Sequence, residues 1–306
     1  MPNLITVFGA TGSQAGSLVE ALLEDGSFAV RGVSRCNRSE AAIALQAKGI
    51  EMVVADYDEP ESLTTAMMGS YGVYAVTGNY LEKFDEEREV LRGRALIQAA
   101  IQCGVQHFVF SGLQSVREAI GQPCPEFDGK AKVENMMFKS GLRCTSVRFP
   151  VYMENILRDF IPVRQDDASY VWNIPMEGKP LPMICASQAG QALLAVFKKP
   201  EHYVGRRVGL AGDYRTMAEY AAIASKHVAT LVIKASQITA EDFKKLDLPR
   251  ATDLGVMFQF YQTAYPEYSV DDTKRLFDQV IDFDEFMSSN APKLLKLLEN
   301  NNYSGF

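Results

Sequence analysis

The feature that most restricts this chain is a glycine-rich turn, VFGATGSQAG at residues 7–16, set between two apolar segments of different period. Residues 4–9 (LITVFG) read as a buried strand, and SLVEALLED, from Ser17, reads as an amphipathic helix. Gly9, Gly12 and then Ala15 with Gly16 make a GxxGxx[A/G] spacing. Small residues let the backbone turn tightly and approach a pyrophosphate, whose charge then rests on the helix N-terminus. A glycine pattern alone is weak evidence, but this one lies at the strand–turn–helix junction that the motif requires. Dinucleotide binding is the expectation.

The rest of the first half repeats the same rhythm. AVRGVSR (29–35), EMVVADY (51–57), VYAVTG (73–78), HFVFSG (107–112) and CTSVRFP (144–150) are continuous apolar runs, as strands buried on both faces require. SEAAIALQAKG, PESLTTAMM, EEREVLRGRALIQAAIQCG and KAKVENMMFKSG supply the intervening helices. Strand, helix and parallel strand in succession predict an α/β, Rossmann-type doubly wound parallel sheet over residues 1–153, with its ligand crevice at the carboxyl ends of the strands. Past Pro150 the pattern changes. Pro162, Pro175, Pro180 and Pro182 punctuate a loop-rich stretch around Trp172, followed by a helix over 186–200, a short strand over 206–212 and helices over 216–228 and 239–246. Residues 154–306 are therefore expected to form a smaller α/β lobe over the crevice, with helix 186–200 packing back on the first lobe.

The end of the second strand selects the dinucleotide. An NAD site would carry an acid about 20 residues past the glycine turn. Ser34-Arg35-Cys36-Asn37-Arg38-Ser39 carries no acid and two guanidiniums, suited to a 2′-phosphate. NADP(H) is the expected cofactor. Asp56 and Tyr57, ending the third strand, are placed to hold and flank the adenine, and Asp58 reads as a cap for the helix near Pro60.

Charge and cysteine usage exclude other classes. Thirty-one basic against 38 acidic residues leave −7 on 306 residues, which argues against a nucleic-acid backbone as partner. No apolar run approaches the roughly 18–20 residues that span a bilayer, and the N-terminal run breaks at Gly9 with no basic segment before it, so neither a membrane nor a signal peptide is expected. Five scattered cysteines without a CxxC pair, and three histidines without metal-like spacing, predict reduced thiols, no metal site, and a cytoplasmic or nuclear location. Cys36 and Cys124 lie near the presumed cofactor region, where the inert-thiol reading is preferred because only Arg35 stands beside them.

At VFGATGSQAG with Arg35, FDGKAKVE (127–134) and SVRFPVYMEN (146–155), the chain resembles the NmrA-like family, a branch of the atypical short-chain dehydrogenases. The resemblance runs over nearly the whole length, through LLEDG (22–26), EHYVG (201–205) and TMAEYAA, and is closest to the animal members described as NADPH sensors. It implies NADP contacts at Gly9, Ala10, Thr11, Gly12, Ser13 and Gln14, then at Arg35, Cys36, Asn37, Arg38 and Ser39. Further contacts are implied at Asp56 and Tyr57, at Thr77, Gly78 and Asn79 after the fourth strand, at Lys130, and at Tyr152, Met153, Glu154 and Asn155. The side chains suit these places: Lys130 is a cation that can reach nicotinamide ribose hydroxyls, and Asn155 offers amide donors. The resemblance also implies regulatory protein partners, such as a metabolic enzyme or a transcription regulator, and homodimers that depend on cofactor.

Catalysis is the weak point. A short-chain dehydrogenase uses Tyr-x-x-x-Lys, the lysine lowering the tyrosine pKa so that the phenol can exchange a proton. Four residues before Lys130 stands Glu126, and an ionised carboxylate has no proton to donate. Two readings follow: a non-catalytic NADP(H) sensor, favoured by the missing tyrosine, or an NADPH-dependent reductase of quinones or unsaturated phenolics that works with Lys130 and Ser111. VMFQFYQTAY (256–265) reads as core before it reads as a substrate pocket or protein-binding groove, and EAIGQPCPEF (118–127) reads as a mobile loop beside Lys130.

Overall fold

Alternating apolar runs and helices wind into one sheet. The computed structural model describes residues 2–77, 85–263 and 267–299. Strand β1 (Asn3–Phe8) leads through the glycine turn to α1 (Ser13–Asp25), β2 (Phe28–Ser34), α2 (Glu40–Ala47), β3 (Glu51–Val54), α3 (Pro60–Met67) and β4 (Gly72–Ala75). Then come α4 (Glu86–Gln102), β5 (His107–Gly112), the short α5 (Val116–Ile120), α6 (Pro125–Lys139) and β6 (Cys144–Arg148). The second half begins with β7 (Val151–Tyr152), a 3-10 turn at Met153–Leu157, β8 (Val163–Arg164), β9 (Tyr170–Trp172) and β10 (Pro180–Ile184). It continues through α7 (Ala189–Lys198), α8 (Pro200–Tyr203), β11 (Arg207–Gly209), β12 (Asp213–Thr216), α9 (Met217–Val228) and β13 (Ile233–Ala235). It ends with α10 (Ala240–Phe243), α11 (Ala251–Thr263), α12 (Val270–Leu276) and α13 (Phe283–Glu299).

Seven parallel strands lie in the order β11-β6-β5-β4-β1-β2-β3. The direction of winding reverses between β1 and β4, which opens a crevice at the carboxyl ends there. Every residue of β4, β5 and β6 is buried, which explains their unbroken apolar character. Ile5, Val7, Leu18, Leu22, Leu193 and Phe197 pack on one side of the sheet, and Phe8, Leu63, Leu96, Phe108, Phe110 and Met137 on the other. A third core, with Trp172, Tyr220, Phe258 and Phe283, fills the second half among the small sheets β12-β10-β7 and β13-β9-β8. Val256, Phe258, Phe260 and Tyr261 of the aromatic run belong to this core, and Ala264 and Tyr265 at its end lie outside the described residues.

A division at residues 153 and 154 does not follow the layers. Strand β11, read as part of the smaller lobe, pairs with β6 as the edge of the main sheet. Helix α7 lies against α1, and Gly190 makes the approach close, since a Cβ there would overlap the backbone of Ser17. Pro180 and Pro182, read as loop, open strand β10. They pair with β12 only, while Met183 and Ile184 alone meet β7, so the missing N–H groups interrupt no ladder on the other side.

The segment 118–127 also differs from expectation. Residues 116–120 are helical and Pro125 opens α6, so little free loop remains. Asp128 accepts hydrogen bonds from the Ser115 hydroxyl at 3.0 Å and from the backbone N–H groups of Arg117 at 3.0 Å and Cys124 at 2.8 Å. One buried carboxylate thus pins both ends of the connection.

His107 makes the fold sensitive to acid. It is fully buried at the start of β5; the Thr145 hydroxyl donates to the Tyr203 carbonyl and so accepts from Nε2–H at 2.8 Å, while Nδ1 has no partner among the described residues. Burial, helped by Arg143, pushes the imidazole pKa from 6.5 down to about 4. Below pH 6.5 the unfolded chain binds a proton that the folded chain refuses, so this group's contribution to stability is constant above that pH and falls as pH drops toward 4. The full loss is about 3 kcal/mol for this one group. Urea unfolding of wild type and His107→Gln at pH 7 and pH 5 checks this, the variant being expected to lose less stability between the two.

Candidate cofactor site

The glycine turn is held by backbone geometry. Gly9 has φ +72, a left-handed conformation that resists a side chain. The N–H groups of Gly9 and Ala10 donate to the Val33 carbonyl at 3.0 and 3.2 Å, which ties the turn to the end of β2. Gly12 is the N-cap of α1 and no side chain caps this helix, so the N–H groups of Ser13, Gln14 and Ala15 point out with no intrahelical acceptor. Thr11, Gly12 and Ser13 are exposed and Ala10 is buried beneath them. This is a set of aligned donors with the positive end of a helix behind it, suited to a pyrophosphate. The Gln14 amide donates to the Ser111 hydroxyl at 3.0 Å, joining the turn to the end of β5.

Because Val33 holds the turn, the residues just past it lie alongside. Ser34 donates to the Cys36 carbonyl, Gln46 donates to the Asn37 carbonyl, and Ser39 caps α2 by accepting from the Ala42 N–H. These bonds shape the loop and leave the Arg35 and Arg38 side chains exposed, neither in an ion pair among the described residues. The loop that carries the pair therefore follows directly on the strand end that holds the glycine turn. Further along the sheet edge, the Asp56 carboxylate accepts from the Asp58 N–H at 2.9 Å. The Tyr57 hydroxyl donates to the Val76 carbonyl at 2.8 Å and its ring stacks on Phe8. Burial pushes the Tyr57 phenol up, so it stays protonated.

Asp58 does not cap α3; Glu59 occupies the N-cap position without a side-chain bond. Asp58 instead receives Arg92 at 2.9 and 2.8 Å and Arg88 at 2.8 Å, and these guanidiniums hold its carboxyl well below the usual range. The loop after β3 is thereby anchored to α4.

At the other end of the crevice, Thr77 follows β4, while Gly78 and Asn79 lie outside the described residues. Lys130 is buried on α6, and its ammonium donates to the Thr77 carbonyl and to Glu89 Oε1 at 2.7 Å. Glu126, in the position of a dehydrogenase tyrosine, does not meet Lys130. It pairs with Arg250 at 2.9 Å, and burial shifts its carboxyl upward against the opposing pull of Arg250 and Lys130. Cys124, at the N-cap of α6, is buried and its thiol is pushed up to about 12, as expected of an inert sulfur.

The VYMEN residues have mixed placements. Tyr152 is half-buried in β7 and packs near Phe149, and Met153 is a core residue. Glu154 accepts from the Ala186 N–H at 2.9 Å and from Cys185 Sγ at 3.2 Å, fixing the entry to α7. The Asn155 side chain accepts from Arg158 at 3.3 Å and its carbonyl holds the following turn. Tyr152 thus packs against the core of the main sheet, whereas Glu154 and Asn155 make these contacts within the second half.

Sequence reasoning missed Glu89, Arg92 and Arg250, and also a charged cluster inside the resemblance motifs. Glu134 receives Arg148 at 3.0 and 2.6 Å, as well as Arg207 and Ser146, and Arg148 also reaches Glu267 at 3.0 Å. No local signal marks Glu89 or Arg92. EEREVLRGR reads as an ordinary solvated helix face until α6 and the Asp58 loop are brought against it.

The sequence profile of the NmrA-like family matches residues 1–301. The NmrA-like family domain-containing oxidoreductase FrzB of Cladobotryum sp is 27% identical over 301 residues, covering 88% of this chain and 86% of that protein. The crystal structure of NmrA, a negative transcriptional regulator, in complex with NADP superposes with a TM-score of 0.80 at 20% identity, over 99% of this chain and 98% of that one. The triphenylmethane reductase of Citrobacter sp., complexed with NADP(H), gives 0.77 at 19% identity over 94% and 99%. At these identities the structural likeness speaks for the fold.

Proposed function

This chain belongs to the NmrA-like family, and on that premise we propose that it is an NADP(H)-binding regulatory protein whose conformation and protein partners change with NADPH occupancy. Gly9 to Gln14 would hold the pyrophosphate, Arg35 and Arg38 the 2′-phosphate, Asp56 and Tyr57 the adenine side, and Thr77 with Lys130 the nicotinamide ribose. When bound, the cofactor supplies hydride chemistry, and this chain's residues supply binding and orientation.

The observation that carries the regulatory reading is the fate of the proton-transfer position. Glu126 stands where a phenol is needed and is turned to Arg250, while the Lys130 ammonium is engaged by Thr77 and Glu89. That arrangement keeps a cation near the cofactor, and among the described residues no phenol pairs with it. Sensing then requires that one conformation bind NADPH better than the other, because equal affinity shifts nothing. A metabolic enzyme or transcription regulator, or a second copy of this chain, is the partner class proposed, in cytoplasm or nucleus.

The reductase reading is kept by one observation: relatives of this family carry oxidoreductase names, and quinone reduction needs little acid catalysis. NADPH oxidation by the purified protein, against quinones, aldehydes and enones, separates the two. The regulatory reading expects tight binding without turnover. Substrate-dependent oxidation that Lys130→Ala abolishes would replace it with the reductase.

A further inference from the structure

Glu89 sits at a close point of the α4–α6 contact. Gly129 of the FDGK segment brings α6 so near that a Cβ on it would lie 2.9 Å from Glu89 Cγ and 3.1 Å from its Cβ. Gly93, one turn along α4, meets Val133 with no space for a side chain. Helix α6 lies directly against the Glu89 stem at Gly129, and among the described residues only Thr77 and Lys130 meet its carboxylate in hydrogen bonds. Charged neighbours that face the same contact are spoken for elsewhere. Glu86 pairs with Arg117 and Lys132, Arg92 with Asp58, Glu126 with Arg250, and Glu134 with Arg148.

An ammonium has three N–H donors. The Lys130 group uses one on the Thr77 carbonyl and one on Glu89. For the third, the only acceptor near among the described residues is Thr77 Oγ1 at 3.4 Å, and that hydroxyl already donates to Glu89. Two fixed bonds therefore aim the remaining donor. Both Thr77 and Lys130 are cofactor positions in the reading above, whereas Glu89 belongs to neither the glycine turn nor the resemblance motifs.

We propose that Glu89 is a positioning residue for the cofactor, holding the Lys130 ammonium against Thr77 so that its free N–H meets the nicotinamide ribose; the inference rests on the NADP(H) reading. Arg88 and Arg92, on the same turns of α4, grip the adenine-side loop through Asp58, so one helix registers both ends of the site.

The test is a double-mutant cycle on NADPH affinity, read by nicotinamide fluorescence with the full chain, using wild type, Glu89→Gln, Lys130→Met and the double variant. Glu89→Gln is expected to weaken NADPH about tenfold in the wild-type background and less than about twofold when Lys130 is already methionine. Glu89→Asp, which keeps the charge on a shorter stem, is expected to fall between wild type and Glu89→Gln, and it provides a folded comparison if a neutral single variant unfolds. Equal losses in both backgrounds, or wild-type affinity in both Glu89 variants, would overturn the positioning role while leaving NADPH binding intact. Failure of the wild type itself to bind NADPH would instead overturn the cofactor reading, and this inference with it.

Discussion

Replacing Arg35 and Arg38 together with alanine is expected to weaken NADPH binding about 100-fold and to leave NADH within about twofold. The expectation comes from placement. The Val33 carbonyl holds the glycine turn at the end of β2, and the arginine loop starts two residues later. A charge-assisted bond to a phosphate is worth about 1.5–3 kcal/mol, and two of them account for the factor. Neither side chain is buried or ion-paired among the described residues, so the change should leave thermal stability nearly untouched. Fluorescence titration of both nucleotides measures the effect. A parallel loss for NADPH and NADH would mean that the pair acts on the shared part of the molecule and not on the 2′-phosphate.

The largest effect on folding is expected from Glu134→Ala. Its carboxylate is 1% exposed and binds two guanidiniums, one of them, Arg148, also buried. Arg207, half-exposed, lies over the Phe138 ring as well. Removing the carboxylate leaves the buried Arg148 charge, at the edge where β6, β11 and α6 meet, with the exposed Glu267 as its remaining ion-pair partner among the described residues, at a cost of about 3 kcal/mol. Urea unfolding measures it. Glu134→Ala with Arg148→Met should recover much of the loss, because an apolar pair often replaces a buried ion pair at little net cost. If the double variant were no better than Glu134→Ala, stranded charge would not be the cause.

What could be read from the residues, and what could not, divides along physical lines. The glycine turn, the parallel strands and the paired arginines are local: each depends on a short run whose chemistry is complete in itself. HFVFSG announces a strand buried on both faces, and Ser34 to Ser39 announces an exposed loop with two guanidiniums and no acid. Elements whose role depends on distant partners were misread. Asp58 looks like a cap until α4 brings Arg88 and Arg92 to it. The 118–127 segment looks mobile until the Asp128 carboxylate closes it. RRVGLAG has the composition of any short strand, and only its pairing with β6 places it in the main sheet. Glu126 is informative by position alone, and its engagement with Arg250 comes from a segment more than 100 residues away. Buried charge networks are assembled by topology, and no spacing in one segment encodes them.

The central claim is that the turn at Gly9–Gln14 and the arginines at 35 and 38 form one NADP(H) site. Equilibrium titration of the wild-type chain with NADPH and with NADH, under one set of salt conditions, tests it most directly. The account predicts saturable binding of one NADPH per chain, with NADH weaker by at least about tenfold. NADH binding as tightly as NADPH, or neither nucleotide binding at millimolar concentration, would contradict it.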